Sequence, residues 1–143
     1  MRHSSLHTPL IFVLTFMYLS IQPLQALADN ISGADRVLCA TLQAMRCTDN
    51  AVCESGSHRK WNIPDFIEID LVEKQLQTTA ASGEKRITPI ETLVREGGHI
   101  FIQGIDKKRL FSIVIAEQSG DLTAAMPSDR AALAVFAVCT PLR

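Results

Sequence analysis

From residue 66 onward the chain alternates apolar and polar positions with a period of two, broken at short intervals by turn residues, which is the pattern of half-buried strands. Residues 66–71 (FIEIDL) set Ile67, Ile69 and Leu71 against Glu68 and Asp70. Residues 74–79 (KQLQTT) return after a tight turn at 71–73, and residues 80–85 form a loop around Ser82-Gly83. A strand over 87–95 (ITPIETLVR) contains Pro89. Pro89 has no N–H for the ladder and so marks an edge or a bulge. Gly97-Gly98 is a hairpin signal leading into a strand over 99–105. Asp106-Lys107-Lys108 turns into 109–116 (RLFSIVIA), the most apolar strand and the one expected at the centre. A short strand over 122–126 and a last one over 131–139 (AALAVFAVC) follow.

The segment 36–47 (RVLCATLQAMRC) carries two signals. Leu38, Leu42 and Met45 fit helical spacing, and Val37, Cys39 and Thr41 fit alternation. Its strand-like sequel favours a strand. Residues 54–60 (ESGSHRK) read as a polar loop. The total is about eight strands with connections too short for crossover helices, so sequential neighbours pair antiparallel. The predicted fold is all-β: an up-and-down meander, closed or partly closed into a small barrel. Such a barrel is just wide enough to be filled by side chains or to hold one small ligand. The alanines of the last strand leave both open.

The first residues follow a different rule. Residues 10–21 (LIFVLTFMYLSI) form an uncharged run of 12, too short for a spanning helix of roughly 20 residues and fitting the core of a signal peptide. Ala26-Leu27-Ala28 is a small-x-small cleavage pattern. The expected organisation is therefore a signal peptide over 1–28, a flexible leader over 29–35 and one β-domain over 36–143, placed in the periplasm or secreted. Asp29 follows the cut where a lipid-modified terminus would need Cys. No second long apolar run appears, so no membrane span is expected after cleavage. Removing 28 of the 143 residues leaves 115. Arg2 is the one Lys, Arg, Asp or Glu removed, so the net charge moves from −1 to −2. That balance offers no basic excess for a phosphate backbone, and nucleic acid is not an expected partner.

All four cysteines lie in the mature chain. An even count in a small exported domain points to disulfides. Four cysteines allow three pairings. Cys47 and Cys53 flank a five-residue, turn-like stretch and can bridge locally, which leaves Cys39 with Cys139. That longer bridge closes about 100 residues, worth about 4–5 kcal/mol in the chain-entropy model. A metal site is the weaker reading, because the gaps lack a tight Cys pair and no His stands at ligand spacing. Redox chemistry is weaker too, because no C-x-x-C motif is present. No cofactor is expected.

Candidate chemistry is sparse. His58 lies beside Ser55 and Ser57, but Ser-His-acid sets assemble from distant positions, so a solvated basic loop is the simpler reading. His99 starts a strand after two glycines and reads as a turn residue. Glu68 and Asp70 share one strand face and could act as a carboxylate pair, although their alternation against Ile67 and Ile69 predicts plain exposure. Lys107, Lys108 and Arg109 form a basic turn, read as a solubilising tip. Trp61, the single tryptophan, is the one candidate binding residue, as an aromatic anchor or as a plug at the end of the core. Catalytic motifs such as H-E-x-x-H, G-x-S-x-G and Gly-rich phosphate loops are missing.

Cys39, Cys47 and Cys53, the run Asn62-Ile63-Pro64-Asp65-Phe66 with Ile69-Asp70 and Lys74, Thr88-Pro89-Ile90, Gln103-Gly104 and the closing Phe136-Ala137-Val138-Cys139-Thr140-Pro141 carry a resemblance over residues 37–142. The pattern resembles a group of small exported bacterial proteins with four cysteines and a Cys-Thr-Pro ending. The resemblance implies a Gram-negative exported protein. It brings no activity, so no functional residue is carried over. The architecture is also similar to that of small periplasmic barrels that inhibit lysozyme, an analogy of fold alone; their inhibitory loop motif is not found. The expected function is a non-enzymatic binding or inhibitory module acting on a protein or a small ligand. A structural envelope component and a hydrolase-like enzyme are the alternatives.

Overall fold

The computed structural model describes residues 29–83 and 85–142. The signal-peptide expectation for 1–28 lies outside them. The described chain is an antiparallel all-β sheet of ten strands curled into a half-barrel. The strands are β1 (Arg36–Thr48), β2 (Cys53–Gly56), β3 (Phe66–Asp70), β4 (Gln75–Thr78), β5 (Ile87–Pro89), β6 (Thr92–Glu96), β7 (His99–Asp106), β8 (Arg109–Ala116), β9 (Asp121–Ser128) and β10 (Ala131–Pro141). Their hydrogen-bonded order is β5-β4-β3-β1-β10-β9-β8-β7-β6, with β2 paired to β1. Among the described residues no helix is long and apolar enough to cross a membrane.

The strands are ten rather than eight for two local reasons. Part of the expected polar loop at 54–60 folds back on β1 as β2, tied by the Cys47–Cys53 bridge between directly opposed residues. The remainder forms a 3-10 turn, His58–Trp61. The expected single strand over 87–95 breaks into β5 and β6. Beyond Pro89 the chain turns a corner, where Ile90 N–H donates to Lys74 O and Glu91 N–H to Gln103 O. β5 stays on β4 while β6 moves onto β7. The two terminal strands of the sheet are therefore consecutive in the chain. Pro89 sits on an end strand, as its missing N–H requires.

β1 resolves the double signal of 36–47. Val37 and Cys39 face inward, and a bulge between Thr41 and Gln43 then shifts the register so that the next buried residue is Ala44. An inserted residue reverses which parity points inward, and Leu42 at the bulge is exposed. The mixed period is two strand phases in series. β1 also divides one edge between β3 and β2 and gives its other edge to β10. The Cys39–Cys139 bridge joins opposed residues of β1 and β10, with Cα atoms 4.0 Å apart.

Alternation is regular in the later strands. Ile100 and Ile102 on β7, Phe111, Ile113 and Ile115 on β8, Leu122 and Ala124 on β9, and Val135, Ala137 and Cys139 on β10 all point into one core. Each large apolar side chain withdrawn from water contributes about 1.5–3 kcal/mol. Two expectations change here. β9 spans eight residues because its pairing with β10 continues to Ser128 and Ala131. β8 is not the central strand: β10 occupies the middle of the order, where first and last strands meet.

The stretch 29–35, expected as a flexible leader, is docked onto one end of the half-barrel. Ile31 is fully buried, its N–H donates to Glu117 O at 2.8 Å, and Thr140 Oγ1 donates to Asp29 Oδ2 at 2.7 Å. The apolar side chain of Ile31 belongs to the barrel core, and that burial overrides the polarity of its neighbours.

Candidate functional site at the mouth of the half-barrel

The ends of the half-barrel differ. Ile31 closes the end where β1 and β9 begin. At the other end β7, β9 and β4 finish, and β8, β5 and β3 begin. There the interior holds a cavity of about 100 Å³. Its wall is apolar, with Ile67, Ile69, Leu76, Ile113, Leu122 and Val135. It persists because the facing positions on β9 and β10 are the small residues Ala124 and Ala137. An engineered apolar cavity of roughly 150 Å³ takes up benzene or xenon, so this space suits one compact apolar group.

Among the described residues, three charged side chains line the same cavity. Arg86, just before β5, reaches Asp106 Oδ2 at the end of β7 at 3.3 Å. Arg109 is the register partner of Asp106 across the β7–β8 hairpin. The Arg86 backbone is pinned: its N–H donates to Thr78 Oγ1 at 2.7 Å and its O accepts from Thr78 N–H at 2.9 Å. Among the described residues, Arg86 Nε is a buried donor with no hydrogen-bond partner. Buried donors nearly always have a partner, either protein or ordered water.

Outside the cavity, a polar cleft of about 450 Å³ shares Asn62, Ile63, Pro64, Thr78 and Arg86 with it. Arg59, Asp65 and Ser82 also line the cleft. Arg59 grips Asp65 side-on, Nε to Oδ1 at 2.9 Å and Nη2 to Oδ2 at 2.7 Å, and His58 Nε2 meets Oδ1 at 2.6 Å. The guanidinium first, then the imidazole, hold the Asp65 pKa down at about 2. A carboxylate so occupied fastens the 58–65 loop and is a poor base. Asp65 O also accepts from Thr41 N–H, and Pro64 O from Thr41 Oγ1, which ties the loop to the β1 bulge. The Ser82 hydroxyl donates to Phe66 O and accepts from Phe66 N–H, so its proton is committed to the backbone.

The residues singled out from sequence scatter. His58 pairs with Asp65, while His99 lies at the opposite end of β7, with Nδ1 3.0 Å from Gly97 O and its ring tilted on Phe101. Ser55 and Ser57 are exposed. Glu68 and Asp70 are not the plainly exposed pair that alternation predicts. Arg36 pairs with both, and Asp70 Oδ1 accepts the N–H groups of Val72 and Glu73 in the following turn. Turn capping and a cross-strand cation draw them in. Trp61 packs its ring on Gly56 beneath Lys60, and its neighbour Asn62 lines the cavity. Of the basic turn, Arg109 joins the mouth. The sequence held no signal for Arg86 or Asp106, because each gains its meaning only from the β4–β5 and β7–β8 pairings. Among the described residues, no group of three or more His, Cys, Asp or Glu is placed to hold a metal ion. No family model, curated protein or solved structure matches this chain.

Proposed function

We propose that this chain is a non-enzymatic binding domain of the periplasm or the secreted space, and that its site is the mouth of the half-barrel. The two disulfides suggest an oxidising, extracytoplasmic compartment. The observation that carries the binding reading is the unfilled apolar cavity opening beside Arg86, Asp106 and Arg109. Pockets of this kind pair an apolar wall with a few converging polar groups. A purely structural envelope component has no use for an interior left short of side chains, since each void of this size reduces stability. The occupant is a small molecule or a single apolar side chain offered by a partner protein; the latter is how an inhibitory module would use the site.

Xenon tests the cavity directly. Under xenon pressure, methyl resonances of Ile67, Ile113 and Leu122 should shift saturably in the disulfide-intact protein. Ala124→Leu, which puts a side chain into the space, should abolish the response. Absence of a saturable shift in the wild type would refute the reading.

A further inference from the structure

We propose that the ligand of this mouth is a carboxylate carrying a short, branched apolar group, with the carboxylate on Arg86 and the branched group in the cavity. The inference rests on the binding reading above and adds the chemistry of the ligand.

Two arginines beside the polar cleft make the argument. Arg59 has a complete side-on fork, with Nε and Nη2 each on one oxygen of Asp65. Arg86 has only half of one. Its Nη2 stands 3.3 Å from Asp106, and its Nε is buried without a partner among the described residues. The side-on edge of a guanidinium matches the two oxygens of a carboxylate, and such paired, charge-assisted bonds are the strong ones. Asp106 takes Nη2 on this edge, and an oxyanion or a carbonyl on Nε would complete it. Charge favours an anion: among the described residues, Arg86 and Arg109 outnumber Asp106 at the mouth, and Arg59 and Arg86 outnumber Asp65 along the cleft.

Size limits the remainder of the ligand. A cavity of about 100 Å³ admits an isobutyl-sized group and excludes a long acyl chain. Arg86 lines both spaces, so a carboxylate held there leaves its apolar group facing Ile113 and Leu122 and any further atoms in the cleft. Two sources share this chemistry: a free short branched acid, and the C-terminal carboxylate of a peptide ending in a branched apolar residue.

The test compares 3-methylbutanoate, 3-methylbutanamide and acetyl-Gly-Leu as free acid, titrated into the disulfide-intact protein. The readouts are the Arg86 Nε–H and the methyl resonances of Ile113 and Leu122. The acid should bind about tenfold or more tighter than the isosteric amide, since a bond to an ionised group is the stronger. Arg86→Lys keeps a cation for Asp106 but lacks Nε, and should reduce that preference to about twofold or less. Arg109→Gln, away from the pinned Arg86 backbone, should weaken the acid and spare the amide. Tighter binding of acetyl-Gly-Leu than of 3-methylbutanoate assigns the peptide source, and the reverse assigns the free acid. Equal binding of acid and amide overturns the carboxylate and leaves the cavity reading standing. Saturation by xenon with none by the acid or the peptide also overturns the proposal. Failure of xenon as well overturns both.

Discussion

At the scale of single residues, Asp65 shows how a side chain unremarkable in sequence becomes a fastening. Nothing in Asn62-Ile63-Pro64-Asp65 announces that His58 and Arg59 will turn back on the carboxylate; the 3-10 turn and the left-handed Asn62 bring them there. Folding lowers the Asp65 pKa from 3.8 to about 2. The contribution to stability is therefore present above the unfolded value and lost as pH falls from about 4 toward 2. Urea midpoints should fall more between pH 4 and pH 2 in the wild type than in Asp65→Asn, and equal slopes would mean that the Asp65 clamp contributes nothing to stability. Gly104 is the second such residue. A Cβ there would stand 2.5 Å from Phe111 Cζ and 2.9 Å from Pro89 O. Phe111 lies directly opposite on β8, its ring buried over the glycine, and Pro89 O belongs to the strand that turns the corner. Neither yields cheaply, so Gly104→Ala should destabilise by about 1–3 kcal/mol, the usual range for overpacking, as measured by urea unfolding. A neutral result would mean that β5 is free to move away from β7.

At the scale of elements, turn chemistry and alternation were legible, and register was not. Gly97 and Gly98 both hold positive φ at the β6–β7 hairpin, as the dipeptide predicted. The next hairpin has Lys107 and Lys108 in the same left-handed region, where no sequence rule places lysine. Strand β2 escaped notice because four mostly exposed residues carry no alternation; the adjacent bridge holds them to β1. The pairing Cys39–Cys139 and Cys47–Cys53 followed from spacing and elimination, and it is the pairing found. The bridges differ in the chain they close, with sequence separations of 100 and 6. Loop-closure entropy grows with that length. Replacing both Cys39 and Cys139 by Ala should cost about 2–5 kcal/mol, and more than the same change at Cys47 and Cys53. Chemical denaturation of the two double variants orders them, and the reverse order would show that strand β2 contributes more than its size suggests.

At the scale of the whole molecule, the half-barrel has a closed end and an open one, and Ile31 makes the difference. It is fully buried from a stretch that looks dispensable in sequence. Ile31→Ala should cost about 2–5 kcal/mol, as for other buried aliphatic truncations. A loss well under 1 kcal/mol in thermal or urea unfolding would mean that the docked segment contributes little to the core. What the sequence determined by itself was strands from a period of two, turns from Gly, Pro and Asp, and cross-links from four cysteines. Strands and turns are written in neighbouring residues, and the cross-links follow from the cysteine count and the short Cys47–Cys53 spacing, so a linear reading recovers them. Tertiary structure alone decided the bulge that reverses the parity of β1, the corner at Ile90-Glu91 that places the two end strands together in the chain, and the docking of Ile31. It alone set Arg86 beside Asp106 at the edge of an apolar cavity, its Nε without an acceptor among the described residues. The reason is that register and closure depend on pairings between distant strands. Side chains such as Arg86 and Asp106, 20 residues apart, have no relation until two hairpins have been folded onto one sheet.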